Sequence, residues 1–279
     1  MDASFSGKTV VITGGSEGVG AATARRFAAA GANLVLAART RKKLEAIAEE
    51  LRGQTRIITV AMDVADTDAC LNLFKKAQFE FDSVHVLINN AGAHIRGAVE
   101  QMDADDLARM IDVNLRAPIL LCRLALPFIK ESGGGAIINV ASLAGRTPVP
   151  GAATYSASKF GLRAFTFALA QEQRDLGIKI AAVSPGPIST GFILSDIDTV
   201  EDVTFSQPMS TPDQVAVEIL KLCHNDKPER SMPPASGLLT TLTYLFPALG
   251  RLALPMLEAR GQRVKRQLKL DMRAAAQED

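Results

Sequence analysis

The chain has 279 residues, 47% of them hydrophobic, enough for one large α/β domain with a sizeable core and too few for two full domains. A formal net charge of +1 gives no electrostatic case for a nucleic-acid partner. Cys70, Cys122 and Cys223 are odd in number and scattered, and His85, His94 and His224 do not cluster with them, so the reading is a reducing, cytoplasmic setting with no disulfide and no metal.

Met1–Lys8 is polar, and the apolar run that follows is too short for a signal peptide. No uninterrupted apolar stretch reaches the roughly twenty residues needed to span a bilayer. The nearest, Leu238–Leu257, is broken by Pro247, Gly250, Arg251 and Pro255.

In chain order, Thr9–Ile12 reads as a buried strand that runs through glycines into a helix from about Gly20 to Ala30, with Gly31 as its terminating glycine. Asn33–Ala38 is the second strand and Arg41–Leu51 the second helix. Arg56–Met62 and Thr67–Phe79 are the third pair. Val84–Ile88 is a fourth strand, and Asp103–Lys130 a long helix bent near Pro118. Ala136–Val140 is a fifth strand, Thr154–Leu176 a helix, and Lys179–Val183 a sixth strand. This alternation implies right-handed crossovers and a parallel sheet with helices on both faces. Residues 192–210 read as loop. Thr211 then caps a helix with Pro212 at its first position, running to about His224. From Ser231 the chain is proline-punctuated and apolar, and from about Met256 basic and helical.

The first strand leads directly into Thr13-Gly14-Gly15-Ser16-Glu17-Gly18-Val19-Gly20 and a helix. Such a loop lets backbone approach a pyrophosphate, with the free N–H groups of the helix start as donors. The second strand ends at Ala38-Arg39-Thr40. A cofactor without a 2′-phosphate would favour an acid there, whereas Arg39 suits a 2′-phosphate, with Thr40 as a second donor. The reading is NADP(H), with NAD(H) second. Glu17 is a counterweight, because it places negative charge near the phosphates. Asp63-Val64 closes the third strand, where a carboxylate can accept from an adenine amino group. Asn89-Asn90-Ala91-Gly92 closes the fourth, where Asn90, Ala91 and Gly92 let backbone pass close to a cofactor.

Tyr155 and Lys159 stand one helical turn apart on one face. A tyrosine near pKa 10 is a poor base, and a neighbouring ammonium is expected to bring it toward the working range. Ser142, just past the fifth strand, can donate to a substrate oxygen. Asn114 sits in mid-helix, where a buried amide is costly unless bonded.

This ordered set, Thr13–Gly20, Asp63, Asn89–Gly92, Asn114, Ser142, Tyr155, Lys159 and Pro185-Gly186 with Thr190, resembles the short-chain dehydrogenase/reductase family over about residues 5–192. The resemblance implies a Rossmann-type, doubly wound parallel sheet. It also implies hydride transfer between a nicotinamide and a carbonyl or alcohol carbon. In its terms Tyr155 is the general acid/base, Lys159 lowers its pKa and binds the nicotinamide ribose, and Ser142 orients the carbonyl. Asn114 holds a water in a proton relay, and Ile188 and Thr190 meet the carboxamide. The long helices pair across subunits in relatives, which implies a homodimer or homotetramer. A nucleotide sensor without turnover is the alternative on this fold, but a sensor has no need of all four polar residues.

Residues 1–230 are read as the catalytic domain and 231–279 as an apolar, then basic, helical extension. Where many members of the family end in a short strand and a glycine loop, this chain has Ser231-Met232-Pro233-Pro234, a layout similar to 3-ketosphinganine reductases. Leu238–Leu257 reads as a pocket lid or subunit interface. The other reading is a peripheral membrane contact aided by Arg260, Arg263, Lys265, Arg266 and Lys269. Both imply an apolar substrate. His94 and Arg96 are placed at the pocket rim without a catalytic role.

Overall fold

The computed structural model describes residues 4–195 and 197–278. Among the described residues seven strands form one sheet: β1 (Thr9–Thr13), β2 (Asn33–Ala38), β3 (Ile57–Ala61), β4 (Val86–Asn89), β5 (Gly135–Val140), β6 (Ile178–Pro185) and β7 (Glu229–Met232). Their order is β3-β2-β1-β4-β5-β6-β7, and every pairing is parallel. The order reverses between β1 and β4, where an open sheet has its ligand crevice at the carboxyl ends of the strands.

Alternate side chains of each strand enter opposite cores. Val10, Ile12, Leu34, Leu36 and Ile88 pack under α1 (Gly18–Ala29), α2 (Arg41–Leu51) and the later α8 (Pro212–Leu222). Val11, Val35, Leu87 and Ile137 pack under α3 (Thr67–Phe81), α5 (Ala117–Glu131) and α6 (Ala153–Glu172). Strands buried on both faces carry no polar alternation, which is why they read as continuous apolar runs. Gly31 ends the first helical segment at φ +84°, as expected.

Three local expectations change. The helix expected over Asp103–Lys130 is α4 (Ala104–Ile111), a π turn (Asp112–Arg116) and α5, so the irregularity centres on Asn114, before Pro118. Pro118 instead stands in the first turn of α5, directly after the π turn. Second, the chain does have a terminal short strand, β7, hydrogen-bonded to β6. It spans Glu229–Met232, across the boundary expected between residues 230 and 231. Third, residues 192–210 are not all loop: they hold α7 (Gly191–Leu194) and a 3₁₀ turn, Asp202–Ser206.

After β7 come α9 (Pro234–Leu245) and α10 (Pro247–Glu278). The basic helix thus starts well before Met256, and Gly250 and Pro255 lie inside it. Among the described residues no helix is long and apolar enough to cross a membrane.

Candidate active site

At Gly14 and Gly20 the loop after β1 is bare backbone because a side chain does not fit. A Cβ on Gly20 would lie 2.0 Å from the Gly14 carbonyl oxygen, and one on Gly14 would lie 2.8 Å from Asn90 Nδ2. Gly18 has φ +53°, and a Cβ there would reach 3.3 Å from Thr190 Cγ2, so the loop and Thr190 face each other closely. The first turn of α1 holds no acidic residue, and Glu17 makes no side-chain cap, which leaves its N–H donors open to an anion. Glu17 turns instead to Lys43, with Nζ donating to its carboxylate at 2.6 Å. Its charge is thereby partnered at the surface rather than aimed at the crevice. Ser16 is half-buried, Val19 buried.

The Asn90 side chain turns toward the glycine loop. Its Nδ2 donates to the carbonyls of Thr13 (2.9 Å) and Gly14 (3.1 Å), bracing the glycine loop from β4. The Thr13 hydroxyl accepts from Asn90 N–H and Ala91 N–H at 3.0 Å each. Bare backbone at Ala91 and Gly92 completes the passage.

Arg39 and Thr40 stand exposed at the end of β2, and among the described residues Arg39 has no ion-pair partner. Asp63, beyond β3, is engaged through both carboxylate oxygens: Ala65 N–H donates to one at 2.9 Å and Arg109 to the other. Burial pushes its pKa up, but the Ala65 N–H, Arg109 and the Arg39 charge outweigh burial and hold it below the ordinary value. Val64 beside it is buried.

Asn114, Ser142, Tyr155 and Lys159 converge past the ends of β4 and β5. The π turn aims Asn114 inward, fully buried. Its Oδ1 accepts from Ala93 N–H at 2.8 Å, and its Nδ2 donates to the Ala93 carbonyl at 2.8 Å and to Ser158 Oγ at 3.2 Å. The side-chain amide thus acts as a strand mimic that fixes the segment after Gly92. Ser142 Oγ accepts from Ala144 N–H at 3.1 Å and shares a hydrogen bond with the Tyr155 hydroxyl. Lys159 is buried, donating to the Val140 carbonyl at 2.9 Å, with Nζ 5.8 Å from the Tyr155 ring centroid. A Cβ on Gly92 would lie 3.4 Å from Asn114 Oδ1 and 3.9 Å from Lys159 Nζ, so these two groups border the same backbone.

Burial lowers the Lys159 pKa to about 8. Burial also pushes the Tyr155 hydroxyl up, against the pull of the Ser142 hydrogen bond and the Arg96 charge. The groups that lower it are Ser142 and Arg96 rather than the expected Lys159 ammonium, and desolvation outweighs both. The hydroxyl keeps its proton at neutral pH, the form that can donate to a carbonyl oxygen.

His94, expected at the pocket rim, lies against the tyrosine. Its ring stacks on Tyr155 at 4.0 Å and 13°, and Phe192 of α7 lies 6.1 Å beyond it. Burial, with the Arg96 and Lys159 charges, lowers the His94 pKa to about 3, so the ring is neutral. Arg96 donates to the Phe192 carbonyl at 3.2 Å. Two residues past the Asn90-Ala91-Gly92 turn was the only sequence signal for this stack.

Thr190, Ile188, Pro185 and Gly186 form the wall after β6. Gly186 N–H is held by the Met232 carbonyl at 2.8 Å, and Ile188 bridges to Ser210. Ile193 of α7 forms a small core with Ile197, Val200 and Phe205, against which Leu268 of α10 packs. Lys265 donates to the Val200 carbonyl at 2.6 Å and pairs with Asp202, and Lys269 pairs with Asp198. These two cations, expected to face lipid headgroups, are instead bound to the loop beside the site.

Glu229, on β7, was also missed. Arg163 donates to its carboxylate at 2.9 and 3.0 Å, Ser184 at 2.6 Å, and Arg146 as well. This cluster joins β6, β7, α6 and the 3₁₀ turn Leu143–Gly145, which Ser142 caps.

Comparison with known proteins places the site in context. Residues 8–199 match the short chain dehydrogenase family. The ketoacyl reductase HetN of Nostoc sp. is 34% identical over 251 residues, covering 89% of this chain and 86% of that protein. Among solved structures, a metagenomic short-chain oxidoreductase in complex with NADP aligns with TM-score 0.69 at 32% identity, over 81% of this chain and 96% of its own. L-sorbose reductase from Gluconobacter frateurii, complexed with NADPH and L-sorbose, aligns with TM-score 0.73 at 27% identity, over 83% and 97%.

Proposed function

Since the chain belongs to the short-chain dehydrogenase family, we propose that it is an NADP(H)-dependent oxidoreductase acting on the carbonyl or secondary alcohol of an apolar substrate. The observation that carries this reading is the meeting of Tyr155, Ser142, Lys159 and Asn114 beside a loop in which Gly14 and Gly20 leave no room for a side chain.

The cradle fits a dinucleotide. Gly14, Ser16, Gly18, Val19 and Gly20 with the open start of α1 would take the pyrophosphate. Arg39 and Thr40, exposed at the end of β2, would take a 2′-phosphate, and the NADP and NADPH complexes of the two structural relatives agree with that choice. Asp63 and Val64 would border the adenine. Ala91, Gly92, Pro185, Gly186, Ile188 and Thr190 would border the nicotinamide half, with Asn90 bracing the loop from behind. When bound, the cofactor supplies or accepts the hydride.

The chain's own residues handle the proton and the oxygen. Ser142 and Tyr155 donate to the substrate oxygen and stabilise its developing negative charge, and Tyr155 gives up its proton in reduction. The Lys159 ammonium, in a low-dielectric setting, favours the resulting phenolate. Asn114 fixes the backbone from Ala93 and holds the floor of the site in place. Arg39 favours the reductive direction. The apolar substrate is supported by the His94–Tyr155 stack with Phe192 tilted beside it and by the core around Ile193 that α10 covers. The outer faces of α5 and α6 are the surfaces for a homodimer or homotetramer.

The test is NADPH consumption across methyl ketones and 3-keto compounds graded in chain length, with NADH in parallel. Rates that rise with chain length and favour NADPH are expected. Tight NADPH binding with no turnover on any carbonyl would overturn the enzymatic reading.

A further inference from the structure

α9 and α10 meet at an apolar turn that stays largely exposed among the described residues. Tyr244, Leu245, Phe246, Leu249, Leu252 and Met256 are all exposed, Leu252 to 82% and Met256 to 69%. Contiguous exposed apolar surface of this kind marks an interaction site. The other side of α10 is committed to the protein. A Cβ on Gly261 would collide with the Asp202 carbonyl, Lys265 is bound to Val200 and Asp202, and Leu268 packs on the core around Ile193. This contact fixes the rotation of the helix.

With that rotation fixed, helical spacing shows what the free stripe presents. Leu252, Met256, Arg260, Arg263 and Arg266 fall within one arc, apolar toward the turn and cationic beyond it. All three arginines are exposed, and Glu258 lies off the stripe. An apolar end followed by a run of arginines complements a surface that is oily inside and anionic outside.

We infer that the α9–α10 turn and the free stripe of α10 dock on an anionic lipid surface, with the leucines at the acyl boundary and the arginines among the headgroups. The helix lies on the bilayer, since no described helix can cross one. Because the opposite side of α10 holds the loop beside the active site, the lipid contact and that loop share one rigid helix.

Flotation of the full chain with vesicles of phosphatidylcholine and phosphatidylglycerol tests this without any turnover, so a failure here and a failure of the catalytic reading are separate results. Wild type floats, and floats less in high salt or on phosphatidylcholine alone. Leu252→Glu and Met256→Glu each weaken partition at least about tenfold, from the burial energy of one large apolar side chain. Arg260→Gln, Arg263→Gln and Arg266→Gln each weaken it about fivefold on anionic vesicles. Unchanged melting temperatures show that these surface variants are folded. Absence of wild-type flotation, or equal flotation of Leu252→Glu, overturns the inference. So does a wild-type dimer that fails to float and that Leu252→Glu dissociates, because a second copy then covers the face.

Discussion

Replacing Glu229 with alanine removes the carboxylate that joins β7 to the catalytic helix. The side chain is 9% exposed, and Arg146, Arg163 and Ser184 all donate to it. Deleting one member of a buried ion pair costs about 3–5 kcal/mol, chiefly because the partners stay behind unpaired. Arg163 is 28% exposed and regains some water, which favours the lower end, about 3 kcal/mol. At about 2–4 °C per kcal/mol for a domain of this size, the melting temperature falls by about 6–12 °C. The assay is thermal unfolding by circular dichroism at neutral and acid pH. Burial pushes the Glu229 pKa up, but the Arg163, Ser184 and Arg146 hydrogen bonds outweigh it and hold the pKa below the ordinary 4.5. A depressed carboxylate stabilises the fold above its unfolded pKa and loses that contribution as pH falls through the folded value. The gap between wild type and Glu229→Ala is therefore full at neutral pH and closes in acid. A drop below about 2 °C at neutral pH, or a gap that widens in acid, would refute the role assigned to the cluster.

Two further outcomes follow from the site. Arg39→Glu raises the KM for NADPH by about 10- to 100-fold, the loss of a charge-assisted hydrogen bond worth roughly 1.5–3 kcal/mol, and leaves NADH equal or better; paired steady-state kinetics check it. With the Lys159 pKa lowered to about 8 by burial, its charge is lost as pH rises past that point, so kcat for carbonyl reduction declines above about pH 8. A flat profile through that range would show that the ammonium is not required.

The parts of the fold that were legible in the sequence are those set by local chemistry. β2 and α2 fall at their expected bounds because a continuous apolar run and then a 3.6-residue period leave no rival pattern. The glycine loop was legible because only glycine fits where a Cβ would meet the Gly14 carbonyl at 2.0 Å. β7 was not, since Glu-Arg-Ser-Met has no apolar pattern and is a strand only through its pairing with β6. The π turn was hidden for a similar reason: Asn114 breaks the helix because Ala93 and Ser158 hold its amide, and both lie far away in sequence. The side-chain role of Asn90 as a brace for the glycine loop is not legible in the sequence, because it depends on where β1 and β4 lie side by side. Lys265 and Lys269 look like surface cations until the loop carrying Asp198 and Asp202 folds against them.

The most direct test of the account is Tyr155→Phe, measured in two ways on one preparation: NADPH binding by fluorescence titration and carbonyl reduction by NADPH consumption. The variant keeps the ring that stacks on His94 and loses only the hydroxyl that bonds Ser142. The account predicts near-native NADPH affinity with turnover reduced by about 10²–10⁴-fold, the contribution of a positioned general acid. Turnover within a few-fold of wild type, with binding equally intact, would contradict it.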